Sequence, residues 1–93
     1  HLGGFDLPRD QADRKSTMIG GIAIDGDNLL YLSFMIQHKL AVYRTQGELV
    51  RQWGQKGTAN GEFHQPGGIV FVSDAELLVA DQCNHRVQRF KNT

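Results

Sequence analysis

Gly67-Gly68-Ile69-Val70-Phe71 repeats the pattern of Gly20-Gly21-Ile22-Ala23-Ile24 at a distance of 47 positions, and this duplication decides the fold. The correspondence continues without a gap through matched residues in both halves, which pair Asp27 with Asp74, Leu30 with Leu77, Leu32 with Val79, His38 with His85, Lys39 with Arg86 and Tyr43 with Phe90. A period of about 40 to 50 residues built from short apolar runs is typical of β-propeller blades. The sequence therefore predicts two blade-like repeats, at residues 1–47 and 48–93, that form one propeller unit.

Apolar runs of four or five residues, separated by Gly, Asp, Asn and Gln, predict the strands of each repeat. The predicted strands are residues 21–25, 29–33, 39–44 and 49–53 in the first blade and 68–72, 77–80 and 86–90 in the second. Several runs, such as Leu29-Leu30-Tyr31-Leu32, are apolar at successive positions, whereas a sheet with one solvated face would alternate. We therefore expect an all-β, antiparallel propeller segment of two four-stranded blades, with neighbours against both faces of each sheet.

The first residues of the chain occupy the place of a fourth strand. Leu2 precedes Gly20 by 18 positions, as Leu49 precedes Gly67, so the repeat is phased with its fourth strand first. Residues 1–5 are then predicted to complete the preceding blade. Unpaired strand edges pair readily with other chains, so we expect a homo-oligomer that exchanges its N-terminal strands. The alternative is that these two blades are part of a longer propeller.

Composition and charge argue against several classes of function. Ten basic and ten acidic residues cancel, so no net field draws the chain to DNA or to an anionic membrane surface. No apolar run approaches the roughly 20 residues that cross a bilayer. Cys83 is the single cysteine, which suits a reducing compartment such as the cytoplasm, although a secreted parent protein stays open. We expect a soluble protein that binds neither DNA nor a membrane.

The second repeat resembles the NHL-repeat β-propellers. Its leading segment is Gly57-Thr58-Ala59-Asn60-Gly61-Glu62-Phe63-His64-Gln65-Pro66-Gly67-Gly68-Ile69, and its central motif is Leu78-Val79-Ala80-Asp81-Gln82-Cys83-Asn84-His85-Arg86-Val87-Gln88-Arg89-Phe90. The first repeat is similar to a lesser degree, because Phe34 stands at the position of Asp81 and Gln37 at that of Asn84. The resemblance implies a six-bladed ring, which three two-blade chains would close as a homotrimer.

The residues of the motif have mainly structural roles in this interpretation. Asp81 is expected to accept backbone N–H groups in the turn between the second and third strands, and Asn84 to adopt the left-handed conformation there. Arg86 is expected to lay its stem along the neighbouring blade, and His85 to be a satisfied turn residue. The paired glycines Gly67 and Gly68 are expected to relieve crowding where the innermost strand begins. A motif of this kind identifies a fold rather than an activity.

The predicted binding surface is the face formed by the loops between second and third strands and by the connections between blades. Phe34, Met35 and Ile36 replace a polar turn with three apolar residues, and exposed apolar surface tends to mark a protein contact. With His64 and Gln82 they form the predicted binding set. The alternative is that the apolar residues are buried beneath the irregular segment 6–17. The function indicated is a non-catalytic recognition scaffold that binds a protein partner.

Two other functions are weaker alternatives. The NHL propellers of tripartite-motif proteins imply RNA binding on the same face, but Asp6, Asp10 and Asp13 would repel phosphate there. Residue types that could ligate zinc occur as His38, His64, His85, Asp81 and Cys83. They lack an HxxxH or CxxC spacing, so a metal-dependent propeller resembling the amidating lyases ranks last. We expect no enzyme, no catalytic or metal-binding residue and no cofactor.

Overall fold

The structure, a computed structural model, describes residues 3–7 and 18–91, which contain seven β-strands and no α-helix. The strands are β1 (Ile19–Ile24), β2 (Leu30–Phe34), β3 (Lys39–Tyr43), β4 (Leu49–Trp53), β5 (Pro66–Ser73), β6 (Glu76–Asp81) and β7 (Arg86–Lys91). They form two antiparallel sheets, with the order β1-β2-β3-β4 in sheet one and β5-β6-β7 in sheet two. The predicted all-β, antiparallel fold is confirmed, with four strands in sheet one and three described strands in sheet two. None of the described segments forms a helix of the length and apolarity needed to cross a membrane.

The strand ends lie within about two residues of the predicted ones, and β4 matches its prediction at both ends. The N-terminal segment differs. Of the predicted strand at residues 1–5, His1 and Leu2 lie outside the described residues, and residues 3–7 form no strand. The physical reason is that the predicted partner of this strand is the edge of another blade, which a single copy of the chain does not offer to it.

The main core lies between the two sheets. Its buried side chains come from both sheets and from the connection between them, and they are Tyr31, Leu40, Val42, Phe63, Leu77 and Val79. Aromatic rings cross the interface: Tyr31 meets Phe71 edge to face at 4.9 Å between ring centroids, and Trp53 meets Phe90 at 5.7 Å. Each fully buried aliphatic or aromatic side chain contributes about 1.5–3 kcal/mol to folding, so this layer joins the two blades into one folded unit.

The innermost strands, β1 and β5, approach each other at backbone contact distance. A Cβ added at Gly21 would lie 2.8 Å from the carbonyl oxygen of Gly67 and 2.9 Å from the Cα of Gly68. The hydroxyl of Ser33 donates to the same Gly67 carbonyl at 2.6 Å. Glycine is therefore needed at position 21 because the next blade occupies the space of its side chain. Gly68 has nothing within 4 Å of the corresponding position, so the predicted crowding is found at the first glycine pair and not at Gly68.

The outer faces of the two sheets differ. On sheet one, Leu32, Phe34, Ala41 and Tyr43 are buried, and Phe5 and Leu7 of the N-terminal segment pack against them. On sheet two, valines point to solvent, and they are Val70, Val72 and Val87, which are 53%, 54% and 65% exposed. Within the single chain, both faces are therefore covered for the central strands of sheet one, whereas the outer face of sheet two is open. No described element of this chain packs on that outer face.

Candidate functional site

One end of the two sheets gathers the loops that the sequence singles out, and we call it the loop face. It comprises the β2–β3 turn (residues 35–38), the connection between the sheets (residues 54–65) and the β6–β7 turn (residues 82–85). Backbone N–H groups join the connection to both turns: the N–H of Gln65 donates to Nδ1 of His38 at 3.0 Å, and the N–H of Cys83 donates to the carbonyl of His64 at 3.1 Å. The two repeats therefore contribute to a single surface.

The carboxylate of Asp81 lies at the base of the loop face and is fully buried. It accepts the N–H of His64 at 2.8 Å and three side-chain donors, from Asn84 at 2.9 Å, Arg86 at 2.9 Å and Gln88 at 3.1 Å. Burial by itself raises the pKa of Asp81, but these hydrogen bonds outweigh it and hold the pKa below its usual value. Asp81 is therefore an ionised structural centre with its acceptor positions occupied.

Arg86 fixes the connection over the end of sheet two. Besides Asp81, its guanidinium donates to three backbone carbonyls, those of Thr58 at 2.8 Å, Ala59 at 2.9 Å and Glu62 at 3.0 Å. The prediction that Arg86 lies along a neighbouring blade is thus corrected, because its fork of five N–H donors matches the backbone carbonyls of an irregular loop. Glu62 tightens the same loop, since its carboxylate accepts from the side chain of Gln55 at 2.6 Å.

The roles of Asp81 and Asn84 also differ from the prediction. Asp81 accepts its backbone N–H from the connection rather than from its own turn. The left-handed residue is His85, with φ 54° and ψ 41°, and the amide of Asn84 instead donates to the carbonyl of Gly57 at 2.8 Å. His38, the equivalent of His85, has φ 56°. The repeated histidine thus marks the turn position that needs the left-handed conformation, while the asparagine faces the connection.

Two histidines meet near the centre of the loop face. The rings of His38 and His64 lie edge to face, with 5.4 Å between centroids. Burial lowers the pKa of His38, and the nearby His64 and Lys56 lower it further, so the His38 imidazole is neutral at pH 7. Its Nδ1 already accepts the Gln65 N–H. Among residues 3–7 and 18–91, no three His, Cys, Asp or Glu side chains come together in a way that could hold a metal ion.

The predicted binding residues separate into two groups. Phe34 is only 2% exposed and belongs to the core on the outer side of sheet one, so the expectation that its side chain is exposed is wrong. It ends β2 at the position that Asp81 holds at the end of β6, and this position is buried in both repeats. Met35, Ile36 and His64 are half-buried on the loop face, and Gln82 is exposed there.

Gln65 and Cys83, which also lie on the loop face, were not in the predicted binding set. The Cys83 thiol is exposed and donates to Oε1 of Gln65, which is itself exposed, at 3.2 Å between Sγ and Oε1. The side chain of Gln82 lies directly over Gly67, where a Cβ would collide with it. Gln65 has φ 55°, which is rare for a residue with a side chain. Nothing in the sequence signals that conformation, because glutamine has no preference for turns.

One family model, that of the NHL repeat, matches part of the chain. The match covers residues 63–90, which span the end of the connection and sheet two as far as Phe90. The resemblance of the second repeat to NHL-repeat proteins is therefore confirmed over those residues. An NHL repeat indicates a β-propeller scaffold of the protein-interaction type. A search of curated proteins finds no significant match to the chain.

Proposed function

We propose that this chain is a non-catalytic recognition scaffold that binds a protein partner through its loop face. The observation that carries the proposal is the convergence of both repeats on one surface, where Gln65 and Cys83 hydrogen-bond to each other beside the paired rings of His38 and His64. The NHL match supports an interaction scaffold in general terms.

The composition of the surface suits a protein. Half-buried Met35 and Ile36 offer adaptable apolar contact, and the exposed amides of Gln65 and Gln82 offer both donors and acceptors. Protein interfaces combine an apolar centre with polar groups of this kind. The network around Asp81 holds the connection beneath them, so little conformational entropy is lost on binding.

The distribution of charge favours a protein over RNA. The guanidinium of Arg86, the arginine of the motif, is engaged by Asp81 and three carbonyls and does not reach a phosphate. The His38 imidazole is neutral because its pKa is lowered. Arg44 and Arg89 pair with Glu48 and Glu76 on the outer strands and turns, away from the loop face. Lys56 adds a cation at the surface, but phosphate binding of useful strength needs several.

The proposed absence of catalysis rests on the environment of the acidic and nucleophilic groups. Asp81 is fully buried, and its oxygens accept four hydrogen bonds, so it cannot take a proton from a substrate. The thiol of Cys83 donates to an amide oxygen and not to a base that could activate it. Neither group has the arrangement that acid–base or nucleophilic chemistry requires.

The test uses a displayed library of random 12-residue peptides selected on the full chain. Selected peptides are measured again on a double variant of the loop face, Met35→Ser with Gln82→Ala, and on a matched double variant at the opposite end, Arg44→Ala with Glu48→Ala. We expect the loop-face variant to lose at least ten-fold in affinity and the opposite-end variant to bind normally. Equal binding by both variants would contradict the proposal.

A second arm measures filter binding of a random 20-nucleotide RNA pool over a series of salt concentrations. Protein recognition predicts no retention of RNA at low salt. Retention that falls steeply with salt, and that Lys56→Gln weakens, would replace the protein partner with RNA.

A further inference from the structure

The chain has two flanks, which are the outer face of sheet one and the outer face of sheet two. By the 47-residue repeat, these flanks are equivalent to the two sides of the interface between the sheets. Sheet one faces sheet two with Tyr31, Ser33, Leu40 and Val42. Their equivalents lie on the outer face of sheet two, and they are Leu78, Ala80, Val87 and Arg89. Val87 is 65% exposed although its counterpart Leu40 is fully buried. The outer face of sheet two therefore occupies the same place in its repeat as the face on which sheet two is packed, with Arg89 at the position of Val42.

The outer face of sheet one presents the complementary surface. Ile69 and Phe71 of β5 pack into the core between the sheets. Their equivalents in β1, Ile22 and Ile24, are 59% and 52% exposed on the far side of sheet one. The equivalent glycines show the same difference. The next blade packs against Gly21, whereas Gly68 has nothing within 4 Å of its Cβ position. Each flank thus has the side chains of a blade interface and lacks the other half.

The N-terminal segment extends the flank of sheet one. Phe5 packs on Tyr43 with 5.7 Å between ring centroids, and Trp53 packs on Phe90, the equivalent of Tyr43, at the same distance. Phe5 therefore stands against sheet one as the end of β4 stands against sheet two. The corresponding place beside β7 is an open groove of about 550 Å³, bounded by residues 60–61 of the connection and by β7. A strand placed there would extend sheet two from three strands to four.

We propose that a second copy of this chain binds head to tail: its sheet one and residues 3–6 cover the outer face of sheet two and the groove along β7. The contact is heterologous, since two different flanks meet, and it reproduces the packing already present between the two sheets of one chain. Each bound copy presents a fresh outer face of sheet two, so association continues until the copies close a ring.

Two flank variants test the proposal. Val87→Lys blocks the flank of sheet two, and Ile22→Lys blocks the flank of sheet one. Both positions are more than half exposed in the single chain, so neither change disturbs folding. We expect each variant alone to have the monomer mass of 10.4 kDa by light scattering, because a lysine lies inside every contact it could form. Thr45→Lys, in an exposed turn outside both flanks, serves as the control and stays associated.

The decisive sample is a mixture of the two blocked variants. Each variant keeps the flank that the other has lost, so a mixture forms one intact contact and stops, which gives a 1:1 complex of twice the monomer mass. An unmodified chain that stays monomeric, or a mixture that stays monomeric while the unmodified chain associates, would overturn the proposal. The unfolding midpoint of each variant, followed by Trp53 fluorescence and compared with that of the unmodified chain, is the control for folding. Peptide binding at the loop face is unaffected by these flank variants, so this test is separate from that of the proposed function.

Discussion

The carboxylate Oδ2 of Asp81 lies 2.9 Å from Nε of Arg86, so the last residue of β6 and the first of β7 are joined across the turn between them. Asp81 is fully buried, whereas 29% of the Arg86 side chain is exposed. The pair therefore connects the interior of sheet two with the connection that lies over it, and the loop face takes its shape from this contact.

Asp81→Asn should lower the free energy of unfolding by about 3 kcal/mol, because the amide cannot accept all four hydrogen bonds at this buried position and leaves the partly exposed Arg86 guanidinium without its counter-charge. The measurement is urea unfolding at pH 7, followed by the fluorescence of Trp53, the single tryptophan. Glu76→Gln is the matched control, since it removes the half-buried partner of exposed Arg89 at 3.6 Å and should cost less than 1 kcal/mol. A loss for Asp81→Asn no larger than that of Glu76→Gln would contradict the structural role given to Asp81.

Acid should act through the same carboxylate. The pKa of Asp81 is lower in the folded chain than its usual 3.8, so its contribution to stability is complete above that pH and is lost as the pH falls through the folded pKa. Unfolding midpoints measured from pH 5 to pH 2.5 should therefore fall less for Asp81→Asn than for the unmodified chain. Parallel curves for the two proteins would show that other carboxylates dominate the acid response.

His38 should give a separate response near neutrality. Its folded pKa lies below the usual 6.5, so the unfolded chain binds the proton more readily and stability falls as the pH drops below that value. His38→Asn should flatten this dependence, since asparagine does not titrate and tolerates the left-handed conformation found there. The comparison is the urea midpoint at pH 7.5 and at pH 5.5 in both proteins. An unchanged slope in His38→Asn would contradict the assignment.

Neighbouring residues at the end of β2 should respond in opposite ways to serine. Phe34→Ser removes a buried ring and places a hydroxyl in the core, which should cost about 3–5 kcal/mol and leave little folded protein. Met35→Ser should cost less than 1.5 kcal/mol because that side chain is half-buried at the loop face. Thermal unfolding of the two variants provides the comparison. Similar melting temperatures would mean that Phe34 is not a core residue.

The two equivalent glycines Gly21 and Gly68 should also differ. Gly21→Ala forces a methyl group against the backbone of β5 and should cost about 1–3 kcal/mol. Gly68→Ala finds open space and should change the stability of the single chain by less than about 0.5 kcal/mol. Both changes are best measured in the Val87→Lys background, where association does not contribute. Equal losses at the two positions would show that β1 and β5 do not approach as described.

The strands and their antiparallel order could be predicted because the repeat supplies two versions of one pattern. Gly20-Gly21 and Gly67-Gly68 set the start of the innermost strands, and the turn residues fixed the remaining boundaries to within about two positions. The close approach of β1 and β5 could also be predicted, since a glycine in a strand often marks a place where another backbone approaches closely.

The details of the loop face were harder to predict, and Phe34 shows why. Phe34 occupies the position that Asp81 holds in the second repeat. In the sequence Asp81 resembles an exposed turn residue, yet the position is buried in both repeats. One repeat fills it with a ring, and the other fills it with a carboxylate whose partners come from 17 residues upstream at His64 and from the turn. Such long-range hydrogen bonds leave no local pattern. The same holds for Arg86, whose carbonyl acceptors lie 24 to 28 positions away.

We propose that the outer flanks of the two blades are the two halves of one interface. The most direct measurement is the solution mass of the unmodified chain by light scattering over a range of protein concentrations. We predict a mass that is a multiple of 10.4 kDa and that falls toward this value on dilution. A folded chain with a mass of 10.4 kDa at every concentration would contradict the claim.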